Sequence, residues 1–331
     1  MEQETTFYED LQKCEDIDLR DNRGKRLDLG LVLLGVILAM LRYRDGTLSS
    51  IHRSMVNNQA KLCEALGIDN KRVVSRSHLP RILTKVSRVA FEQLLFKYAK
   101  IELTEEQKQW FAGDGKELRG SIEKGDKRGE VCVQIVSHED RAVIGQAFYN
   151  GAKESEKPCL QQLVQQTGVQ SEQITADALH LCPAMTQAIE QAGGIFVIGL
   201  KDNQKDLLED MIDHTDAFAP KAEHRTVDKG HGRLEIRNYA CFDVSGDYFE
   251  ARWDKTCFRS LISVRRTRTV LKTNESSEEI SYYLSNGKSE NAAEYFLAVR
   301  NHWSIEVNNH YRDVSLKEDQ LRTKKSLLLK F

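Results

Sequence analysis

The sequence changes character at Trp110-Phe-Ala-Gly-Asp-Gly-Lys-Glu-Leu-Arg119, where helical spacing gives way to strand-like spacing. The apolar start of this stretch predicts a strand, and the Asp114-Gly115 pair predicts a turn that ends it. Two segments rich in β-branched and aromatic residues follow, 130–136 and 142–149, with a polar turn between them. Together they predict a three-stranded antiparallel meander.

The order of elements changes again after the meander. Helical spacing over 156–166 precedes a short strand-like segment, 173–177, which ends at Asp177. A second helical pattern and a second apolar strand, 195–200, come next. Helices alternating with strands imply parallel crossovers, so the sequence predicts a mixed α/β sheet with flanking helices.

Outside this region the chain divides into parts of different texture. Three helical patterns near the N-terminus predict an all-helical domain, and mainly strand-like pieces follow the α/β segment. A last helical pattern runs from Ala292 to about Tyr311. The predicted parts are an N-terminal helical domain (1–105), the first part of the core (106–204), a β-rich insertion (205–289), and a catalytic helix with its tail (290–331).

Composition excludes several classes of protein. The 331 residues include seven scattered cysteines without a CxxC pair, which argues against a disulfide scaffold or structural zinc. The most apolar stretch, 29–41, is too short for the roughly 20 residues of a membrane-spanning helix. The N-terminus shows no signal-peptide pattern. We therefore expect a cytoplasmic protein with no membrane partner.

Three acidic residues stand out by their settings: Asp114 and Asp177 at predicted strand ends, and Glu306 inside the last helical pattern. Individually, Asp114 is most simply a turn residue, Asp177 a helix cap, and Glu306 a polar-face residue. Jointly, two aspartates and a distant glutamate can converge on divalent metal for phosphodiester chemistry.

Six sequence blocks, in order and at similar spacing, resemble the bacterial DDE transposases of the H-repeat-associated type. The resemblance covers roughly residues 15–325. The blocks are Asp114-Gly-Lys-Glu-Leu-Arg-Gly-Ser121, Thr175-Ala-Asp177-Ala, Gly199-Leu-Lys-Asp-Asn-Gln204, His231-Gly-Arg-Leu-Glu235, Tyr282-Tyr-Leu-Ser285, and Val299-Arg-Asn-His-Trp-Ser-Ile-Glu306 followed by Asp313 and Glu318-Asp319.

The resemblance implies an RNase H-like core, with the β-rich insertion placed before the last catalytic helix. It implies that Asp114, Asp177 and Glu306 are catalytic and hold two Mg²⁺ ions, for which Mn²⁺ can substitute. The implied activity is cleavage of DNA at element ends and strand transfer to target DNA. Its implied setting is a homodimer on DNA, associated with the nucleoid.

Basic and polar residues near these blocks are candidates for contact with DNA. Residues 221–272 carry twelve Lys or Arg against seven Asp or Glu, in a chain of net charge −2. This excess suits a phosphate-binding surface, and equally a solvated strand face. The candidates are Lys116, Arg119, Lys201, Asn203, Gln204, His231, Arg233, Arg265, Arg266, Arg268 and His302.

Two alternative functions stay open at this point. Family members continue beyond the position of Asp319 with a further helix, whereas this chain ends at Phe331. A catalytically inactive or truncated remnant that only binds DNA is therefore one alternative. The other is an RNase H-like nuclease without joining activity.

Overall fold

A computed structural model describes residues 6–21, 25–43, 47–69, 72–99, 109–122, 125–151, 154–245, 249–315 and 318–320. The predicted boundary at residues 105 and 106 lies outside these ranges, as does the tail from residue 321.

The centre of the molecule is one nine-stranded sheet in the order β3-β2-β1-β4-β5-β9-β8-β7-β6. Strands β1 to β3 form an antiparallel meander, and β4 and β5 run parallel to β1, as the sequence predicted. The strands are β1 Trp110–Glu117, β2 Glu130–Ser137, β3 Val143–Asn150, β4 Gln173–Ala176, β5 Ile195–Leu200, β6 Ala222–Gly230, β7 Arg233–Asp243, β8 Ser260–Val270 and β9 Ser276–Ser285.

Helices precede the sheet and cover both of its faces. Among the described residues before β1, the regular elements are helices. The helices are α1 Phe7–Lys13, α2 Leu29–Tyr43, α3 Leu48–Ala65, α4 Leu79–Leu83, α5 Arg88–Ala99, α6 Glu156–Thr167, α7 Pro183–Gln191, α8 Lys205–Ala217, α9 Ala292–Asn301 and α10 Trp303–Val314.

Strand alternation assigns side chains to two faces of the sheet. Phe111 packs with Leu160 of α6, in a cluster that also includes side chains of α7 and α8. The neighbouring Ala112 points the other way and packs with Ile305 of α10. We call these the α6 face and the α10 face. Asp114, two residues after Ala112, belongs to the α10 face.

The predicted turn at Asp114-Gly115 is wrong, because β1 continues through this pair to Glu117. The glycines serve close packing instead. A Cβ at Gly113 would lie 2.9 Å from a methyl carbon of Leu160, and one at Gly115 would overlap the carboxylate of Glu156. The missing side chains let α6 approach the strand that carries Asp114.

The β-rich segment continues the same sheet, because β9 pairs antiparallel with β5. At the carboxyl end of β5, Leu200 pairs with Tyr282, whereas β9 begins at Ser276. Residues 276–281 therefore extend about 20 Å past β5 at 3.3 Å per residue. We call this extension, residues 225–238 and 265–281, the projecting ribbon.

Candidate functional site

Two of the three predicted catalytic acids lie side by side. Gly113 pairs with Ala176 in the parallel register of β1 and β4, so the residues that follow them, Asp114 and Asp177, are level on neighbouring strands. Asp114 is half-buried, and the side chain of Asp177 is 46% exposed. Both belong to the α10 face, at the carboxyl end of β4.

The carboxyl of Asp114 is under electrostatic strain. Its pKa is raised to about 7, mainly by burial and then by the carboxylates of Glu156 and Asp177, while the Gly115 N–H and His180 act in the opposite direction. Charged carboxylates that crowd together in a partly desolvated site favour protonation or a bound cation. The electrostatics of this part of the sheet therefore favour the binding of a cation.

Asp177 also has the capping role that its position suggested. Its carboxylate accepts a hydrogen bond of 3.0 Å from the Leu179 N–H at the start of a single 3₁₀ turn. The same turn places His180 Nε2 3.8 Å from Asp177 Oδ1. Asp177 therefore caps this turn and is also a candidate metal ligand.

Sequence reasoning missed Glu156 and His180. The His180 ring is fully buried, and its Nε2 lies 2.9 Å from Glu156 Oε1. The pair bridges α6 to the turn that follows Asp177. The available signals were weak: Glu156 is an ordinary acid in the first turn of a helix, and His180 lies three residues after Asp177.

Two half-buried histidines support β4 from the α10 face. His138 Nε2 and His302 Nδ1 each lie 2.9 Å from the hydroxyl of Thr175. Burial lowers the pKa of His138 to about 3 and that of His302 to about 4, so both rings are neutral at pH 7. His302, predicted to contact DNA, is held here against the sheet.

Glu306 is on the same side of the sheet but apart from the aspartates. Burial raises the pKa of its carboxyl, and Lys201 at the end of β5 opposes the shift. Within the described ranges, no group of three His, Cys, Asp or Glu side chains is close enough to hold a metal ion. Asp177 acts on the pKa of Asp114, whereas neither aspartate acts on the pKa of Glu306.

The last predicted helix is in fact two helices that meet at His302. Ile305 is buried in the core, whereas Trp303 is 54% exposed. Glu306, Asn309 and Asp313 line one groove of about 570 Å³ with Trp303.

Lys116 is enclosed by acids of the C-terminal segment. Its ammonium lies 2.7 Å from Asp313, 3.0 Å from Glu318 and 3.5 Å from Asp319. The Lys116 side chain is 10% exposed. Arg119 is 76% exposed and reaches Asp319 at 3.8 Å. Of these two DNA-contact candidates, Arg119 presents its charge to solvent.

The segment after β5 uses its amides within the protein. Asn203 donates to the Ala178 carbonyl at 2.7 Å, and the buried Gln204 donates to the Leu181 carbonyl at 2.8 Å. These bonds tie the loop after β5 to the turn that follows Asp177. Lys201 is exposed beside them.

The remaining candidates lie on the projecting ribbon. His231 and Gly232, with φ of 48° and 73°, occupy the two-residue turn between β6 and β7, and the exposed Arg233 follows. This geometry is a type I′ hairpin turn. The arginines are paired across strands: Arg265 with Glu278, Arg266 with Glu279 and Glu235, and Arg268 with Glu235.

Across the residues that the structure describes, no helix combines the length and apolarity needed to cross a bilayer.

No protein-family model matches the chain. Curated bacterial proteins do match it. "H repeat-associated putative transposase YhhI" of Escherichia coli (strain K12) is 24% identical over 255 residues, 75% of this chain and 67% of that protein. "Putative transposase YncI" of Escherichia coli O157:H7 is 28% identical over 262 residues, 75% of this chain and 65% of that protein.

"Putative protein YbfL" of Escherichia coli (strain K12) is 25% identical over 255 residues, with coverage of 75% and 67%. The matches span about two thirds of each relative's length. Two of these three relatives, YhhI and YncI, are named as putative transposases, and each match covers 75% of this chain. By sequence, it is a relative of the bacterial H repeat-associated transposases.

Proposed function

We propose that this chain is a DNA transposase that cuts DNA at element ends and joins those ends to target DNA. Asp114, Asp177 and Glu306 are its catalytic carboxylates. The observation that carries the proposal is the juxtaposition of Asp114 and Asp177 at the carboxyl end of β4, with the pKa of Asp114 raised to about 7. Kinship to proteins named as transposases supports it.

The first five strands support an RNase H-like core as part of this proposal. Their order is β3-β2-β1-β4-β5, with three antiparallel strands followed by two parallel ones. Functional residues of such sheets gather beyond the carboxyl ends of parallel strands. Asp177 and Lys201 follow β4 and β5 at that edge.

The donor set suits Mg²⁺, with Mn²⁺ as a substitute, because hard divalent ions prefer carboxylate oxygens. Asp114 and Asp177 would hold the first ion, and Glu306 would serve a second. When bound, two such ions activate a nucleophilic oxygen and stabilise the leaving oxygen of a phosphodiester. The raised pKa of Asp114 fits this proposal, because a bound cation would stabilise its carboxylate.

The surrounding residues position these carboxylates. His180 and Glu156 fix the turn that carries Asp177, and Asn203 and Gln204 tie that turn to the loop after β5. Lys201 is exposed beside Glu306 and would contact a DNA phosphate. Such a contact orients the substrate without reading its sequence. Joining two ends requires them to be held together, so a homodimer on DNA at the nucleoid belongs to the proposal.

The test is Mg²⁺- or Mn²⁺-dependent cleavage of plasmid that carries the flanking genomic DNA. We expect nicked and joined products from the wild type and neither from Asp114→Asn, Asp177→Asn or Glu306→Gln. Glu209→Gln, an exposed acid on α8, is the matched control and should keep full activity.

Other results would favour a different function for this protein. Metal-dependent nicking without joined products would support a nuclease without joining activity. Binding of this DNA by folded wild type, with no cleavage under either metal, would support an inactive remnant. Cleavage that survives all three substitutions would place the active site elsewhere.

A further inference from the structure

We propose that two copies of this chain pair through the free edge of the sheet, β6 against β6 in antiparallel orientation, about a two-fold axis at Thr226. The proposal gives the homodimer suggested above a specific surface. It rests on the sheet edge and not on catalysis.

The two edges of the sheet are treated differently by the fold. At one edge, α5 packs against β3: Gln146 donates to Glu92 at 2.7 Å, and the Arg88 guanidinium lies 4.4 Å from the centre of the Phe148 ring. At the other edge, most of β6 is exposed along its nine residues. An exposed edge of this length is a template for pairing with another strand.

The hairpin turn determines which groups this edge offers. Gly230 and Arg233 close the two-residue turn, so they form a hydrogen-bonded pair. Counting back in twos, even-numbered residues of β6 bond to β7. The odd-numbered residues therefore direct N–H and C=O groups outward: Glu223, Arg225, Val227 and Lys229.

The sequence of β6 complements itself when it is reversed. An antiparallel pair centred on Thr226 places Glu223 opposite Lys229 of the second copy. It also places His224 opposite Asp228, whose carboxylate already pairs with Arg237 in its own chain. Each contact occurs twice, as a two-fold axis requires. Residues that present outward backbone groups also face each other in this register. Opposite charges directly across strands stabilise a sheet, and like charges destabilise it.

Neighbouring registers lack this match. Centring the pair on Arg225 places two arginines opposite each other, and centring it on Val227 places Arg225 opposite Lys229. A shift by one residue sets outward backbone groups against inward ones. Charged residues usually protect an edge from pairing. Here their order selects a single partner, which is a second copy.

Side chains next to the edge fit the same partner. Within the described ranges, neither Glu223 nor Lys229 forms an ion pair in its own chain. Leu297 of α9 is 61% exposed and lines a cavity of about 430 Å³ together with Thr226. Pairing at Thr226 brings both cavities and both Leu297 side chains to the axis, where they add apolar contact to the strand pairing.

The experiment measures the oligomeric state of the full chain by sedimentation velocity between about 1 and 100 µM, without DNA or Mg²⁺. We expect a concentration-dependent dimer for the wild type. Glu223→Lys and Lys229→Glu should each weaken it at least about tenfold, because each creates two like-charge contacts. The double variant restores both pairs and should return to within about threefold of the wild type.

Val227→Pro tests the backbone directly. Its N–H points outward, and proline is tolerated on an edge strand in that orientation. We expect a folded monomer, with circular dichroism to verify the fold. Glu209→Lys makes the same charge change as Glu223→Lys on α8, outside the proposed strand pair, and should leave the dimer unchanged.

Three results would overturn the proposal: a wild type that stays monomeric at 100 µM, a dimer insensitive to Val227→Pro, or charge variants whose double substitution fails to restore association. None of them bears on the catalytic proposal, because the measurement involves no cleavage.

Discussion

The two halves of the sheet handle charge in opposite ways. Around the carboxyl end of β4, Glu156 and Asp177 both approach the imidazole of His180, and their carboxylates also raise the pKa of Asp114. In the projecting ribbon, arginines and glutamates alternate across strands and pair with each other.

The difference shows which kind of charge marks a site. Residues 221–272 contain many charged residues, with more basic than acidic ones. Many of these side chains nevertheless form ion pairs with a neighbour. The acids near β4 are few. Burial is the main cause of the raised pKa of Asp114, and repulsion from the neighbouring carboxylates adds to it. Local imbalance, more than net charge, indicates where a cation or a substrate is to bind.

The largest effect should come from the half of the sheet that is buried on both faces. Phe111→Ala removes a fully buried ring from the main core and should lower the free energy of unfolding by about 3–5 kcal/mol. Urea denaturation measures it. Ile280 lies on the projecting ribbon and is 39% exposed. Ile280→Ala should therefore change the free energy of unfolding by less than about 0.5 kcal/mol. Equal losses at both sites would remove the contrast.

A buried ion pair should matter more than a ribbon pair. Lys116→Met leaves Asp313, Glu318 and Asp319 without their shared cation, and should lower the free energy of unfolding by about 2–3 kcal/mol. The value is below that of a fully buried pair because Asp313 is 37% exposed. Denaturation in low and high salt should give similar losses, since a shielded pair is weakly screened. A loss that vanishes in high salt would contradict this.

The pKa of Asp114 predicts a pH-dependent stability. Because its folded value of about 7 lies above the ordinary 3.8, folding takes up a proton between these pH values, and stability falls as pH rises through that window. Without divalent metal, Asp114→Asn should therefore exceed the wild type by about 1–2 kcal/mol at pH 8 and match it near pH 4.

Thermal unfolding in EDTA at the two pH values measures this difference. Mg²⁺ should then stabilise the wild type at pH 8 and have little effect on the variant, because only the wild type has the complete donor pair. Asp202→Asn, an exposed acid near Lys201, is the control and should behave like the wild type. A variant less stable than the wild type at pH 8 would show that the acids near β4 are already compensated.

The smallest effect should come from the ribbon. Arg265→Met breaks a pair with Glu278 in which both side chains are half-exposed or more, and should cost at most about 0.5 kcal/mol. The loss should disappear in high salt, in contrast to Lys116→Met. Denaturation at two salt concentrations tests this, with Glu278→Gln as the reciprocal change. A larger, salt-independent loss would mean that the ion pairs of the ribbon contribute substantially to the free energy of unfolding.

Local patterns were sufficient for most elements. Alternation and β-branched content located β2, β3 and β5, and the order of elements identified the antiparallel meander and the parallel pairs. Local patterns failed where a residue type has two uses. Asp114-Gly115 has the composition of a turn, but its glycine instead makes room for Glu156 of α6, which lies 41 positions away in sequence.

The sequence by itself determined most element types and their order, and it singled out the three candidate acids, because propensity, periodicity and motif order are local properties. Only the tertiary structure decided that β6–β9 extend the same sheet, that Asp114 and Asp177 are level, and that Glu156 and His180 join them. It also decided that the ribbon arginines are paired. Register, burial and electrostatic coupling depend on residues distant in sequence, whose proximity exists only in the folded chain.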